Sequence, residues 1–252
     1  MANYTDRGRY REVNQDSLLA LQADFGGEKA VLAVICDGIG GLEMGERASA
    51  AVTDAFGRWF QEKLQEVIRQ EEFEDALYDS WESLLQEVHR EIGEYGRVRK
   101  TRLGTTATAM LFWQKEYYIA HVGDCRAYEI EGRIVQLTKD QVQAGLEVWE
   151  REGERGRIEK DKGEHVLLQG VGASKILRPT YYSGEMKENA VYLLCTDGFR
   201  NRISIEELYH AFAPDKLTDE EDMVQKGKRI AEIVMDRGEN DNISILLVKC
   251  FL

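Results

Sequence analysis

Proline is nearly missing from this chain of 252 residues: there are 2, and no tract rich in proline, glycine and serine divides the sequence. Without a linker composition, residues 1–252 read as one domain, long enough to bury a core without disulfides or a structural metal. Cysteine is sparse too. The 4 cysteines, Cys36, Cys125, Cys195 and Cys250, stand far apart beside apolar runs, with no CxxC pair to suggest zinc. They read as buried, reduced thiols of a cytoplasmic protein. No apolar run approaches the length of a membrane span, and the N-terminus MANYTDRGRYREVNQD lacks the apolar core of a signal peptide. Positive charge is also in deficit. Lys+Arg number 33 against 46 Asp+Glu, a net charge of -13, which argues against nucleic-acid binding and against docking on an anionic membrane.

What is present is clear periodicity. SLLALQA (Ser17 to Ala23) and AVLAVIC (Ala30 to Cys36) read as partner strands, the second continuous and apolar. From Gly45 the period changes: Ala48, Val52, Phe56, Trp59, Phe60 and Leu64 form one stripe of an amphipathic helix. Phe73, Leu77, Trp81, Leu85, Val88 and Ile92 stripe a second, and the turn QEEFED between them suggests an antiparallel hairpin. Four short β-rich runs, Thr105 to Trp113, Glu116 to Val122, Cys125 to Ile130 and Arg133 to Thr138, then read as an antiparallel meander. The charged, glycine-containing segment at about 140–163 has no sustained period and reads as a surface flap. Strands are expected at Val166 to Leu168, Thr180 to Ser183, Val191 to Cys195 and Ile243 to Val248. Helices are expected from Ser204, where Ser204 and Glu207 have capping-box spacing, and over Met223 to Met235. The pattern predicts a layered α+β domain with two sheets packed face to face.

Three of the strands share a design. AVLAVICDGIGG, AVYLLCTDGF and ENDNISILLV each place an aspartate, Asp37, Asp197 or Asp241, directly beside a buried strand. One Asp-Gly pair alone is a turn. Three acids on rigid strand ends concentrate negative charge, and oxygen-rich clusters of that kind select hard cations, Mg²⁺ or Mn²⁺. In RYREVNQDS, Arg9 and Arg11 lie close to Asn14 and Asp16, where an arginine could fork onto a phosphate or simply face solvent. Asp124 in HVGDCRAY fits a plain hairpin turn equally well.

Taken in order, RxxNQDS (Arg11 to Ser17), CDGIGG (Cys36 to Gly41), GERAS (Gly45 to Ser49), LGTTATA (Leu103 to Ala109), AHVGDCRAY (Ala120 to Tyr128), LTKD (Leu137 to Asp140), LLCTDG (Leu193 to Gly198) and ENDNIS (Glu239 to Ser244) resemble the metal-dependent protein phosphatases, the type 2C serine/threonine family, in compact bacterial form. The resemblance spans nearly the whole chain. It implies a four-layer α-β-β-α sandwich, with antiparallel sheets inside, helical hairpins outside, and a binuclear Mn²⁺ or Mg²⁺ centre at one end. By the same resemblance Asp37 bridges both metals, the Gly38 carbonyl binds one, and Asp197 and Asp241 bind the other. Asp16 holds metal-bound waters, Arg11 binds the phosphate, and Asp124 serves a third, weaker metal. The implied activity is hydrolysis of phosphoserine and phosphothreonine in proteins, with Asp37, Arg11, Asp197 and Asp241 as the catalytic set. The implied partners are phosphorylated proteins and a serine/threonine kinase as counterpart, for a monomer acting without nucleic acid or membrane.

The chain departs from the family pattern at four places. Asn201 replaces a further aspartate, which should weaken the third metal; Gln141 replaces a histidine common in bacterial members. Ile39 stands where animal members carry a histidine, and LLQGVGAS (Leu167 to Ser174) lacks the usual arginine. A regulatory pseudophosphatase, a phosphatase tied to one bacterial signalling partner, and a structural Ca²⁺-binding domain are the rival readings; no EF-hand loop supports the last.

Overall fold

The computed structural model describes residues 1–39, 44–142 and 167–250. The chain runs β1 (Ala2–Asp6), β2 (Ser17–Phe25), β3 (Glu28–Cys36), α1 (Gly45–Glu62), α2 (Leu64–Val67), α3 (Phe73–Arg99), β4 (Ala107–Trp113), β5 (Glu116–Val122), β6 (Arg126–Ile130) and β7 (Ile134–Gln136). It continues with β8 (Thr180–Glu185), β9 (Val191–Cys195), α4 (Asp197–Arg200), α5 (Ile205–Phe212), a 3₁₀ turn at Pro214–Lys216, α6 (Glu220–Asp236) and β10 (Ile243–Lys249). Two five-stranded sheets result, β1-β10-β9-β6-β7 and β2-β3-β4-β5-β8, and every pairing is antiparallel.

Strand alternation builds the layers. In β3, Ala33 and Ile35 point into the gap between the sheets, against Tyr192, Leu194 and Leu246 of the other sheet. Leu32, Val34 and Cys36 point the other way, onto α1 and α3 through Phe56 and Trp81. The second sheet turns its outer face, with Leu193, Ile245 and Leu247, onto Leu208 and Phe212 of α5 and Ile230 and Val234 of α6. Both faces of the central strands are covered, so they read as continuous apolar runs rather than alternating ones. The expected α-β-β-α sandwich is the architecture observed.

Two expectations need correction. The β-rich stretch is not one meander: β4 and β5 pair in one sheet, while β6 and β7 pair in the other. Gly123 and Asp124 therefore carry the chain from one layer to the next, and a plain hairpin turn is excluded. The polar N-terminus also hides β1, an edge strand that buries Ala2, half-buries Tyr4 and leaves Asn3 and Thr5 exposed. So little apolar content is normal for an edge strand. The capping box is real, with Ser204 Oγ accepting from the Glu207 N–H and the Glu207 carboxylate accepting from the Ser204 N–H. Most of the expected flap, together with Val166, Gly40 and Gly41, lies outside the described residues; Leu167 forms an isolated bridge with Val142.

Candidate metal centre

The acidic residues meet where strands of both sheets end. Asp37 leaves β3, and its backbone is fixed on both sides: its N–H donates to Thr106 Oγ1, and its carbonyl accepts from the Thr106 N–H and the Thr105 hydroxyl, each at 2.8 Å. Gly38 follows with its N–H on the Gln15 carbonyl at 3.1 Å. A Cβ there would stand 2.7 Å from both the Gln15 oxygen and the Gly45 carbonyl carbon, so no side chain fits.

Asp197 and Asp241 come together from the other sheet. Asp197 opens α4 directly after β9, and Asp241 precedes β10, the neighbouring strand. A Cβ on Gly198 would lie 2.1 Å from the Asn242 carbonyl oxygen and 3.3 Å from Asp241 Cβ, which measures how tightly the two segments abut. Asn242 ties in the N-terminal loop, accepting from the Gln15 N–H at 2.9 Å and donating to the Arg7 and Val13 carbonyls. That loop delivers Asp16, only 9% exposed, whose Oδ2 accepts from the Thr196 hydroxyl at 3.1 Å.

The shared field shows in the acidities. Burial first, then the carboxylates of Asp16, Asp197, Asp124 and Asp241, hold Asp37 well above the ordinary carboxylate range. Asp16 is pushed up to about 7 by burial and by Asp197 and Asp241, against hydrogen bonds from Ser244 and Thr196. Asp124, 7% exposed, also rises to about 7 through burial and Asp197. Acids from five separate stretches thus lie close enough for their charges to raise Asp37, Asp16 and Asp124. Two of their oxygens, Asp16 Oδ1 and Asp197 Oδ1, are buried and accept no hydrogen bond. Among the described residues, no three His, Cys, Asp or Glu side chains form a closed ligand set; the acids interact at the range of charge repulsion. Buried, unpartnered carboxylate oxygens where acids outnumber cations are donors suited to hard divalent cations.

The protein phosphatase 2C family model matches residues 7–247. The chain belongs to the protein phosphatase 2C family. That membership makes it a phosphoprotein phosphatase. Over 250 residues it is 27% identical to a serine/threonine phosphatase of Listeria innocua, covering 97% of this chain and 93% of that protein. A serine/threonine phosphatase from Staphylococcus aureus superposes with a TM-score of 0.80 at 25% identity, covering 99% of this chain and 94% of that one. One from Mycobacterium tuberculosis superposes with a TM-score of 0.76 at 25% identity, covering 99% and 97%.

Within this phosphatase, the remaining predicted residues divide. Arg11 reaches the site's edge, its Nη2 donating to Asp241 Oδ2 at 2.8 Å, while Arg9 is drawn away to Asp236. Asp124 is set apart from the other acids. Arg200 lies 3.5 Å from Asp124 Oδ2, donates to the Asp124 carbonyl at 3.1 Å, and also reaches Asp140 at 3.5 Å. Asp140 is in turn held by Arg126 through Nε at 2.8 Å and Nη2 at 2.7 Å. Burial alone would raise Asp140, but the Arg126 hydrogen bonds and the charges of Arg200 and Arg126 hold it below its ordinary value. The residue expected to serve a third metal is thus already paired with a guanidinium, and that same Arg200 donates to Asn201 Oδ1 at 3.3 Å.

Sequence reasoning missed this Arg126–Asp140–Arg200–Asp124 chain, since arginines after strand-end acids look like solvated surface. It also missed Thr105, Thr106 and Asn242, which set the loops and carry no chemistry of their own. Cys36 and Cys125 adjoin the site, but burial first, then neighbouring carboxylates, raise both thiols, so neither is a ready thiolate nucleophile. His121 is the fully buried strand residue expected, bonded to Thr108 and the Lys139 carbonyl.

Proposed function

We propose that the chain hydrolyses phosphoserine and phosphothreonine in proteins at two divalent cations, Mn²⁺ or Mg²⁺. Asp37, the Gly38 carbonyl, Asp197 and Asp241 would hold them, with Asp16 beside them as a further acceptor. The observation that carries this reading is the meeting of strand-end acids whose buried oxygens, Asp16 Oδ1 and Asp197 Oδ1, have no protein partner. When bound, such a pair supplies Lewis acidity, bringing the pKa of water toward neutrality and neutralising charge on the phosphoryl oxygens.

The protein's own part is placement. Thr105 and Thr106 lock the Asp37 backbone and so fix the point from which its carboxylate projects. Arg11, 38% exposed beside Asp241, has a guanidinium fork free enough to take phosphate oxygens and align phosphorus for in-line attack by water. The water oxygen bonds to phosphorus as the bond to the serine or threonine oxygen breaks, and that oxygen leaves with a proton taken from water. Asp124, already paired with Arg200, contributes to a third cation only weakly.

Phosphorylated proteins are the substrates, and a serine/threonine kinase is the functional counterpart. Among the described residues no helix is long and apolar enough to cross a membrane. A cytoplasmic location, a monomer and a single phosphatase domain over residues 1–252 belong to the same proposal. The test is release of phosphate from a generic phosphothreonine peptide, with Mn²⁺ and with a chelator. Manganese-dependent hydrolysis is expected; folded protein that binds peptide without turnover would assign the chain to the pseudophosphatases.

A further inference from the structure

We propose that Arg47 and Arg99 form an anion subsite on the rim of the acidic site, taking a carboxylate or second phosphate of the substrate polypeptide near the phosphoresidue under attack. The inference rests on the phosphatase reading above and specifies its substrate class.

The segment RVRKTR, Arg97 to Arg102, carries four cations and no acid, in a chain of net charge -13. Arg97 is occupied by Glu94 at 2.6 Å. Arg99 lies over the Tyr95 ring, 5.6 Å from its centroid. Arg47 comes to the same ring from α1, at 5.9 Å, and donates to the Tyr95 hydroxyl at 2.7 Å. Both arginines are exposed. Among the described residues no carboxylate forms an ion pair with either.

The ordinary explanation of such a cluster is the helix dipole, which favours cations at a helix C-terminus. It accounts for Arg99, in the last turn of α3. It fails for Arg47, which stands in the first turn of α1, where the dipole opposes a cation. Two guanidiniums gathered on one aromatic ring repel each other. An oxyanion between them converts that repulsion to attraction, and the guanidinium fork matches carboxylate and phosphate geometry.

The segments that carry the two arginines lead into loops of the site. Gly45, two residues before Arg47, abuts Gly38 within the close approach described above. Gly104, two residues after Arg102, accepts the Ile39 N–H at 3.0 Å. An extended substrate advances about 3.3–3.6 Å per residue, so side chains a few positions from the phosphoresidue pass this rim.

The test is the initial rate of hydrolysis, with Mn²⁺, of three phosphothreonine peptides of equal length, flanked by alanine, by glutamate or by a second phosphothreonine. At low salt we expect kcat/KM about tenfold higher for an acid-flanked peptide than for the alanine one, a preference that shrinks as salt rises. Preference for glutamate, for the second phosphate or for both identifies the anion accepted. Arg47→Gln and Arg99→Gln should each bring the ratio toward one, whereas Arg97→Gln, on the same segment, should keep it. A wild-type ratio of one, or a ratio unchanged in the Arg47→Gln/Arg99→Gln double variant, overturns the subsite and leaves the phosphatase reading standing. Hydrolysis of none of the peptides overturns the phosphatase reading and the subsite together.

Discussion

Two groups of largely enclosed acids lie side by side in this protein and differ in one respect. Asp140 is held by Arg126 and Arg200 and stays below its ordinary pKa despite burial. Asp16 is buried and Asp37 half-buried, but the charges around them are other carboxylates, and both are raised. The first group is complete as a structural ion-pair network. The second gains its compensating charge from outside the polypeptide, which is what a cation-binding site requires. Asp124 lies between them, raised by burial and Asp197 yet lowered by Arg200, and the weakness proposed for a third metal follows from that position.

The contrast breaks most visibly at its extremes. Asp37→Asn should lower turnover by about 10³-fold, while the metal-free protein should unfold no earlier than wild type, because a repelling charge has been removed. Peptide hydrolysis and thermal unfolding in chelator check both halves, and a large loss of metal-free stability would place Asp37 with the structural acids. Asp140→Asn should do the reverse. It leaves two half-buried guanidiniums short of their carboxylate and should cost about 3 kcal/mol, read as a lower urea midpoint at unchanged slope.

A smaller effect belongs to His121, a buried base with no carboxylate bonded to it. Its Nε2–H donates to the Lys139 carbonyl at 3.1 Å, so Nδ1 accepts from the Thr108 hydroxyl at 2.9 Å, and the ring is neutral. Burial, only partly offset by Asp140 and backbone hydrogen bonds, lowers its pKa from 6.5 to about 4. At this residue the unfolded chain therefore binds more protons than the folded one between those values. The share of stability owed to His121 is full well above pH 6.5 and is lost as pH falls toward 4, by about 1.6 kcal/mol between pH 6.5 and 5, whereas the raised Asp16 and Asp124 act in the opposite direction. Denaturant titrations of wild type and His121→Gln at both pH values isolate that share as the difference between their slopes.

The sequence disclosed the parts whose cause is local. Ala30 to Cys36 announces a buried strand through an unbroken apolar run, and an acid placed at its end is conspicuous. Ser204 and Glu207 announce a helix start because both bonds of the capping box form within one turn. What depends on distant partners was hidden. Nothing in Arg200 points to Asp124, which lies 76 residues away, and nothing in Arg47 points to Tyr95. The crossover at Gly123 was misread because a two-residue link between apolar strands looks the same within a sheet and between sheets. Arg11 was assigned a role through its motif alone; the fold adds that it arrives beside Asp241.

Titration of the metal-free protein with Mn²⁺ at neutral pH, followed by calorimetry, tests the central claim most directly. The account predicts two ions bound per wild-type chain in the tight phase and a loss of that phase in Asp37→Asn. Binding that is absent in wild type, or identical in the variant, would contradict it.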